Sequence, residues 1–280
     1  METCIICNKK TDRILTRVKG VDIYECPNCR LGITGNRPVI DKTSLPYDFA
    51  DYDTHRFRFA RRLEIMIDRI KRFAPRGRLL EVGGGFGLFS SLLLRSGYEV
   101  DTIEPYLRTH YLEGMKNAHV ITKTFEQYAG SVKNHYDGIV MLDVLEHVEN
   151  PVQVLKGCKS MLKPGGVIIL QMPNYRSLMQ WLCRDWSWWM IEDHTFHFTP
   201  HSLKKLLRSR GFTPQYVATY EEFPDFLKNL DGNFSGIKNS IMRKVAKLMF
   251  RIVFIPLYLA LRPLIWGLGR GGLLFVVATK

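Results

Sequence analysis

The chain has 280 residues, with 40 Lys and Arg against 27 Asp and Glu, and 46% of it is apolar. At roughly 150 residues per domain this length suits one large domain with additions, and the composition excludes a disordered chain, a collagen and a small disulfide scaffold. The net charge of +13 is local: residues 55–78 hold nine Lys/Arg against two Asp/Glu, residues 224–270 hold eight against two, and the rest of the chain is neutral as a set. A local excess of this kind is a property of particular surfaces and of what binds them.

The first ten residues, METCIICNKK, carry no basic stretch ahead of a long apolar run, so no secretory signal is expected. Cys4 and Cys7 form one C-x2-C pair and Cys26 and Cys29 a second, with eighteen residues between them. This is zinc-ribbon spacing: a two-residue gap lets two thiolates meet one tetrahedral ion, and residues 21–24 read as the strand entering the second turn. The alternatives are two disulfides, which a reducing cytosol disfavours, or four unrelated cysteines. Cys158 and Cys183 stand alone and read as small buried apolar residues.

A ribbon of residues 1–35 is followed by a linker, residues 35–52, with Pro38 and Pro46. Phe59, Leu63, Met66, Ile67 and Ile70 recur at helical spacing and predict a helix over residues 56–73, its polar face carrying the first basic cluster. Strands and helices then alternate: strand 78–82, helix 86–97, strand 99–104, helix 106–116, strand 120–122, strand 136–142, helix 151–162 and strand 166–172. Thr199, Pro200 and Gly211 bracket a helix over 200–210, and strands 212–220 and 273–279 follow. The pattern predicts an α/β fold, a Rossmann-like, mostly parallel seven-stranded sheet with helices on both faces, preceded by the small zinc ribbon. Two stretches fall outside it. Residues 177–198 hold Trp181, Trp186, Trp188 and Trp189, and residues 224–270 form a basic, apolar insert.

The first strand of the alternation runs into Glu81-Val82-Gly83-Gly84-Gly85-Phe86-Gly87. Glycines here let the backbone turn sharply and approach a ligand at a helix N-terminus, and Glu104, ending the next strand, is placed to accept both hydroxyl hydrogens of a ribose. The E-x-G-x-G-x-G loop, the acid after the second strand, the run Met141-Leu142-Asp143-Val144-Leu145-Glu146-His147-Val148 and the loop Leu162-Lys163-Pro164-Gly165-Gly166 together resemble the class I S-adenosylmethionine (SAM) dependent methyltransferases. The resemblance covers residues 55–220, with 271–280 as the last strand, and a small-molecule subgroup carries such a ribbon in front. It implies a methyltransferase domain of 36–223 plus 271–280, with SAM as cofactor. Glu81, Gly83, Gly85 and Gly87 would surround its methionine and ribose part, Glu104 the ribose hydroxyls, Thr124 and Phe125 the adenine, and Asp143 the sulfonium end.

A SAM methyl group is already electrophilic, so the protein has mainly to align the acceptor and, for a hydroxyl, to take its proton. Histidine suits that task near neutral pH. His147, and His194 and His197 in a segment resembling the H-x-x-F-T-P run of the small-molecule subgroup, are the candidate proton acceptors. Asp143, Glu146 and His147 also resemble an acid-x-x-Glu-His run of ubiquinone-pathway O-methyltransferases, where Mg2+ or Zn2+ can assist.

The insert of residues 224–270 begins as a basic amphipathic helix and continues as a nearly all-apolar stretch, expected to break at Pro256. Its longest uncharged run, residues 252–261, is short of the roughly 20 residues of a bilayer span. The insert therefore reads as a contact with an anionic membrane surface or as internal or oligomer packing. The expectation is a cytoplasmic O-methyltransferase, peripheral on the inner face of the membrane, acting on a small-molecule or lipid-linked sugar, envelope or quinone-type acceptor. An RNA base methyltransferase and a non-catalytic SAM-fold scaffold are the competing readings. The run Leu142-Asp143-Val144-Leu145, unlike the N-P-P-Y type used on base amines, counts against nucleic acid.

Overall fold

The computed structural model describes residues 1–36, 48–106, 108–183 and 186–280; the linker prolines Pro38 and Pro46 lie outside them. The chain divides into two units. One comprises Met1–Arg37, Gln171–Lys205 and Tyr216–Phe275, the other Pro38–Leu170, Leu206–Gln215 and Val276–Lys280.

The first unit opens with the ribbon. Strands β1 (Glu2–Thr3) and β2 (Lys10–Thr11) pair with each other, and β3 (Ile14–Val18), β4 (Val21–Glu25) and β5 (Gly32–Thr34) form an antiparallel sheet. Both C-x2-C turns are built alike. The carbonyl of Cys4 accepts from the Asn8 N–H at 2.8 Å while the Cys4 N–H donates to the Lys9 carbonyl at 3.0 Å. The carbonyl of Cys26 accepts from Arg30 at 2.8 Å while the Cys26 N–H donates to Leu31 at 2.9 Å. Asn8 and Arg30 occupy the same left-handed conformation, at φ 57° and 54°.

In the second unit α1 (Phe49–Thr54) and α2 (Arg56–Lys71) lead into β6 (Arg78–Val82), α3 (Leu88–Arg95), β7 (Glu99–Ile103), β8 (His119–Ile121), α4 (Phe125–Tyr128), β9 (Tyr136–Leu142), α5 (Pro151–Met161) and β10 (Leu162–Pro173). Each expected strand is found within a few residues. The helix expected over 106–116 is not. A single 3-10 turn, His110–Leu112, takes its place, with His110 stacked on Phe49 at 4.0 Å and Gly114 in the left-handed region at φ 75° soon after. Leu79, Leu80, Ile139, Val140, Ile168 and Ile169 are fully buried, the continuous apolar run of strands covered on both faces.

The remaining elements are α6 (Leu178–Leu182), a 3-10 turn at Ser187–Trp189, β11 (Phe196–His197), α7 (Pro200–Ser209), β12 (Thr213–Tyr220), α8 (Phe223–Gly232), α9 (Ser240–Gly267) and β13 (Leu273–Thr279). Short β11 joins the ribbon, giving a sheet ordered β11-β5-β4-β3. The tryptophans divide: Trp186 and Trp189 are buried, edge to face at 5.1 Å, in a core shared with Tyr175, Phe226 and Tyr258, whereas Trp181 is exposed.

Helix α9 corrects a second expectation, because it runs unbroken through Pro256 and Pro263. An interior proline costs about 3 kcal/mol in lost hydrogen bonding and crowding. One face of α9 offsets that cost. Phe250, Phe254 and Tyr258 form an aromatic stack, Tyr258 lies 4.3 Å from Phe226 of α8, and Arg251 holds both oxygens of Asp231 at 2.7 Å.

The large sheet has the order β12-β13-β10-β9-β6-β7-β8, and β6 is parallel to both β7 and β9. The final strand of the chain is thus slotted between β10 and β12. β6 sits where the winding of the sheet reverses, which fixes the location of the site.

Candidate active site

The crevice beyond the carboxyl end of a strand at such a reversal is where an open α/β sheet takes a ligand. The glycine loop leaves β6 at that point. The N–H groups of Gly83 and Gly84 both donate to the Ile103 carbonyl, at 2.9 and 3.1 Å, tying the loop to the end of β7. Gly83, at φ 78°, lies so close to Val144 that a Cβ would come within 2.6 Å of its Cγ2. Gly85, at φ 54°, is the opposite case: a Cβ there meets nothing within 4 Å, so this edge of the loop faces open space. Gly87 caps α3 in the left-handed region.

Glu104 is buried just after β7. Its Oε2 accepts from the Gly85 N–H at 2.8 Å and its Oε1 from the Tyr106 N–H at 2.9 Å. A carboxylate at the end of this strand is the type of group that accepts hydrogen bonds from a ribose diol. Glu81, on β6, is buried beside it and accepts from the Ser90 hydroxyl. Burial pushes Glu81 up to about 8 against the bond from Ser90, and the charge of Glu104 adds to the rise.

The cleft is a cavity of about 340 Å³. The glycine loop with Phe86 and Phe89 forms one side, and Tyr52, Phe59, Arg62 and Leu63 from α1 and α2 form another. Tyr52 stacks on Phe59 at 4.7 Å and lies 5.1 Å from Phe86, and burial raises its hydroxyl to about 12. Asp143 follows β9 in a left-handed conformation, φ 55°, which turns its carboxylate to within 3.5 Å of the Arg62 guanidinium.

The structure therefore gathers Glu81, Gly83, Gly85 and Asp143 around one cleft; Glu104 and Gly87 do not line it, Glu104 being tied to it through the Gly85 N–H and Gly87 capping α3. Thr124 and Phe125 do not line it. The Thr124 hydroxyl accepts from the Gln127 N–H as the cap of α4, and the Phe125 ring packs against Gly157 of α5. Tyr52, Phe59 and Arg62 escaped the sequence reading as site residues because they lie between the cysteine pairs and the glycine loop, outside any motif. Phe59 and Leu63 were legible as an apolar helix face, yet they line the cleft, while Met66, Ile67 and Ile70 of the same face are buried.

The histidines are placed differently from one another. His147 is half-buried in a turn, its N–H donating to Val144 at 3.0 Å; it does not begin a helix, since α5 starts at Pro151. Asp143, Glu146 and His147 do not form a trio of close ligand atoms among the described residues, because Asp143 faces Arg62. In the first unit His194 and His197 are both buried, and His194 Nδ1 lies 3.0 Å from the Trp188 carbonyl. His197 Nε2 lies 2.9 Å from the Thr34 hydroxyl, and burial holds His197 down to about 3.

Cys4, Cys7, Cys26 and Cys29 bring their sulfurs within 4.8 Å of one another, and Cys7 and Cys26 are 3.7 Å apart. Four sulfurs at 2.3 Å from a tetrahedral zinc would stand about 3.8 Å apart, so the donor set and its spacing fit that ion. Burial pushes the Cys4 thiol up and Cys29 up to about 11. Cys7 is held down to about 6, against burial, by hydrogen bonds from the Lys9 backbone and the neighbouring thiols.

A reversal-point cleft with a glycine loop and an acid ending the next strand is the arrangement expected of the class I SAM-dependent methyltransferase fold and shared with dinucleotide-binding domains. The chain belongs to the methyltransferase-domain family, whose pattern matches residues 52–217. It is similar to a solved SAM-dependent methyltransferase from Archaeoglobus fulgidus, with TM-score 0.56 and 21% identity over 83% of this chain and 100% of that one. It is also similar to one from Thermotoga maritima described as a possible histamine N-methyltransferase, with TM-score 0.53 and 19% identity over 82% and 95%. These show the fold alone. Over 106 residues it is 34% identical to a ubiquinone biosynthesis O-methyltransferase of Xanthomonas campestris pv. campestris (strain B100), covering 36% of this chain and 44% of that protein. The protein of that name from Yersinia pestis (strain Pestoides F) is 32% identical over 111 residues, 38% and 46%. The matched stretch thus spans less than half of these curated relatives.

Proposed function

We propose that this protein transfers the methyl group of SAM to an oxygen of a small, largely apolar acceptor of quinone-precursor or lipid-linked type, at the cytoplasmic face of a membrane. The observation that carries the reading is the pairing of the Glu104 carboxylate with the Gly85 N–H at the open edge of the glycine loop. The name shared by the curated relatives supports oxygen as the acceptor atom.

When bound, SAM supplies an electrophilic methyl group. Around it Glu104 takes the ribose hydroxyls, and Gly83, Gly85 and Gly87 let the backbone approach. Arg62, opposite Asp143 in the cleft, would offer a bound methionine carboxylate a charge-assisted donor. Tyr52, Phe59 and Phe86, which line the cleft, would help exclude water from a bound cofactor. The candidates for taking the proton of the acceptor hydroxyl are two of the histidines singled out by the sequence, His147 and His194. We assign His197 a holding role, since an imidazole with so low a proton affinity is a weak base at pH 7. The proposed organisation keeps the ribbon of residues 1–35, with a structural zinc on Cys4, Cys7, Cys26 and Cys29, and the insert of 224–270 as additions to the methyltransferase body of 36–223 and 271–280.

The test is steady-state kinetics with a catechol-type acceptor on His147→Ala, His194→Ala and His197→Ala. One of the first two should lower kcat by 10²-fold or more with KM for SAM unchanged, the size expected for a lost general base. Full activity in both, with a loss in His197→Ala only, would overturn the assignment.

A further inference from the structure

Helix α9 is long and apolar enough to cross a membrane by length and composition, and only 6% of its most apolar stretch is buried. Ile241, Val245, Leu248, Ile252, Leu257 and Leu264 are each more than half exposed. Exposed apolar residues recur along the whole of a helix of about 42 Å, Ile241, Val245, Leu248 and Ile252 along one line and Leu257 and Leu264 about 150° round from it, so the open side is broad and is far more than scattered surface hydrophobes. We infer that α9 lies flat in the surface of an anionic bilayer, its open apolar face among the acyl chains and its packed face on the protein. The inference rests on the membrane-side reading above only for its use; its test reads lipid binding without methyl transfer.

Charge selects the occupant. Helix α9 has Arg243, Lys244, Lys247, Arg251 and Arg262 and no Asp or Glu. Lys247 and Arg251 are turned inward onto Asp231, at 3.2 and 2.7 Å. Lys244 and Arg262 are exposed, and at 3.6 residues per turn both fall about 60° to one side of the line through Ile241 and Leu259. From there their stems reach along the apolar face while their charges meet headgroup phosphates. At the C-terminal end of the helix a cavity of about 380 Å³ is walled by Trp266 and Leu268 and by Lys204 and Arg270, while Arg30 and Arg176, also in its wall, are paired with buried Glu25 at 3.5 Å. It offers a headgroup phosphate a cationic seat. A second copy of this helix would instead set like charges against like.

Geometry decides between lying on the membrane and crossing it. The packed face holds the buried Tyr258, the aromatic stack on Phe226 and the Asp231 ion pairs, all of which α9 would have to leave to be ringed by lipid. Beyond Arg251 only residues 252–267 remain, about 24 Å of helix interrupted by Arg262, against a hydrocarbon core of about 30 Å.

The experiment is flotation of the purified full chain with vesicles of phosphatidylcholine alone or with phosphatidylglycerol, followed by alkaline carbonate extraction. Binding to phosphatidylglycerol vesicles at least 10-fold tighter than to phosphatidylcholine, and release by carbonate, are expected. The triple variant Leu248→Ser, Ile252→Ser, Leu264→Ser, altered only at exposed positions, should keep its unfolding midpoint and lose flotation. Lys204→Glu with Arg270→Glu should weaken only the phosphatidylglycerol binding. No binding to either vesicle, resistance to carbonate, or a triple variant that still floats but passes from dimer to monomer in light scattering would each overturn the inference.

Discussion

Thr34 of the ribbon and His197 of the Asp193–Pro200 segment, 163 positions apart in sequence, share a hydrogen bond of 2.9 Å. The Thr34 hydroxyl donates its one proton to the His194 carbonyl at 2.7 Å, so it accepts from His197 Nε2–H, and its backbone N–H donates to Thr195 at 3.0 Å. Beside these, buried Glu25 accepts from the Tyr175 hydroxyl at 3.0 Å. The ribbon thus holds the segment that carries the candidate proton acceptors His194 and His197. Thr34→Val should leave buried polar groups unpaired and cost about 1–3 kcal/mol in denaturant unfolding.

His197 makes the protein acid-sensitive. Burial holds it down to about 3 from an ordinary 6.5, so its contribution to stability is present above pH 6.5 and lost as the pH falls from there toward 3. His197→Gln, which keeps an N–H for Thr34, should flatten the loss of unfolding free energy between pH 6.5 and 5.

Glu81 acts with the opposite sign. It is raised from 4.5 to about 8, so the folded protein keeps a proton that the unfolded chain releases, and stability falls as the pH rises through that window. The full effect is on the order of a few kcal/mol. Unfolding curves of Glu81→Gln at pH 5 and pH 8 should differ less than those of the unmodified chain.

Arg62 should show in cofactor affinity. Charge-assisted hydrogen bonds are worth about 1.5–3 kcal/mol, so Arg62→Ala is expected to raise the Kd for SAM by roughly 10- to 100-fold in calorimetry. Lys at this position should recover part of the loss.

The four ribbon thiols should hold one zinc per chain in elemental analysis. Removing it with a chelator, or Cys26→Ser, is expected to lower the melting temperature and to expose the segment around His197 to hydrogen exchange, because β11 is part of the ribbon sheet.

Short-range rules made the central strands, the glycine loop and the paired cysteines legible. β6, β9 and β13 fall on the expected residues because each is a short apolar run closed by turn residues. The features that were missed depend on distant contacts. Arg62 reads locally as one more charge on a basic helix; only the fold sets it against Asp143. Pro256 reads as a helix break, and only Phe226 and Asp231 of α8 explain why α9 continues past it. Residues 106–116 have helical spacing, but His110 is captured by Phe49.

The most direct test is transfer of tritiated methyl from SAM into fractionated lipid, small-molecule and RNA pools, with Gly85→Arg as control. That side chain enters the open edge of the cleft, where a Cβ meets nothing within 4 Å, and should block cofactor binding; because φ at Gly85 is 54°, it also costs about 1–2 kcal/mol of backbone strain, so its unfolding midpoint is measured alongside. The account requires alkali-stable label in the lipid or small-molecule pool, abolished by Gly85→Arg. Label confined to RNA, or label that persists in the variant, would contradict it.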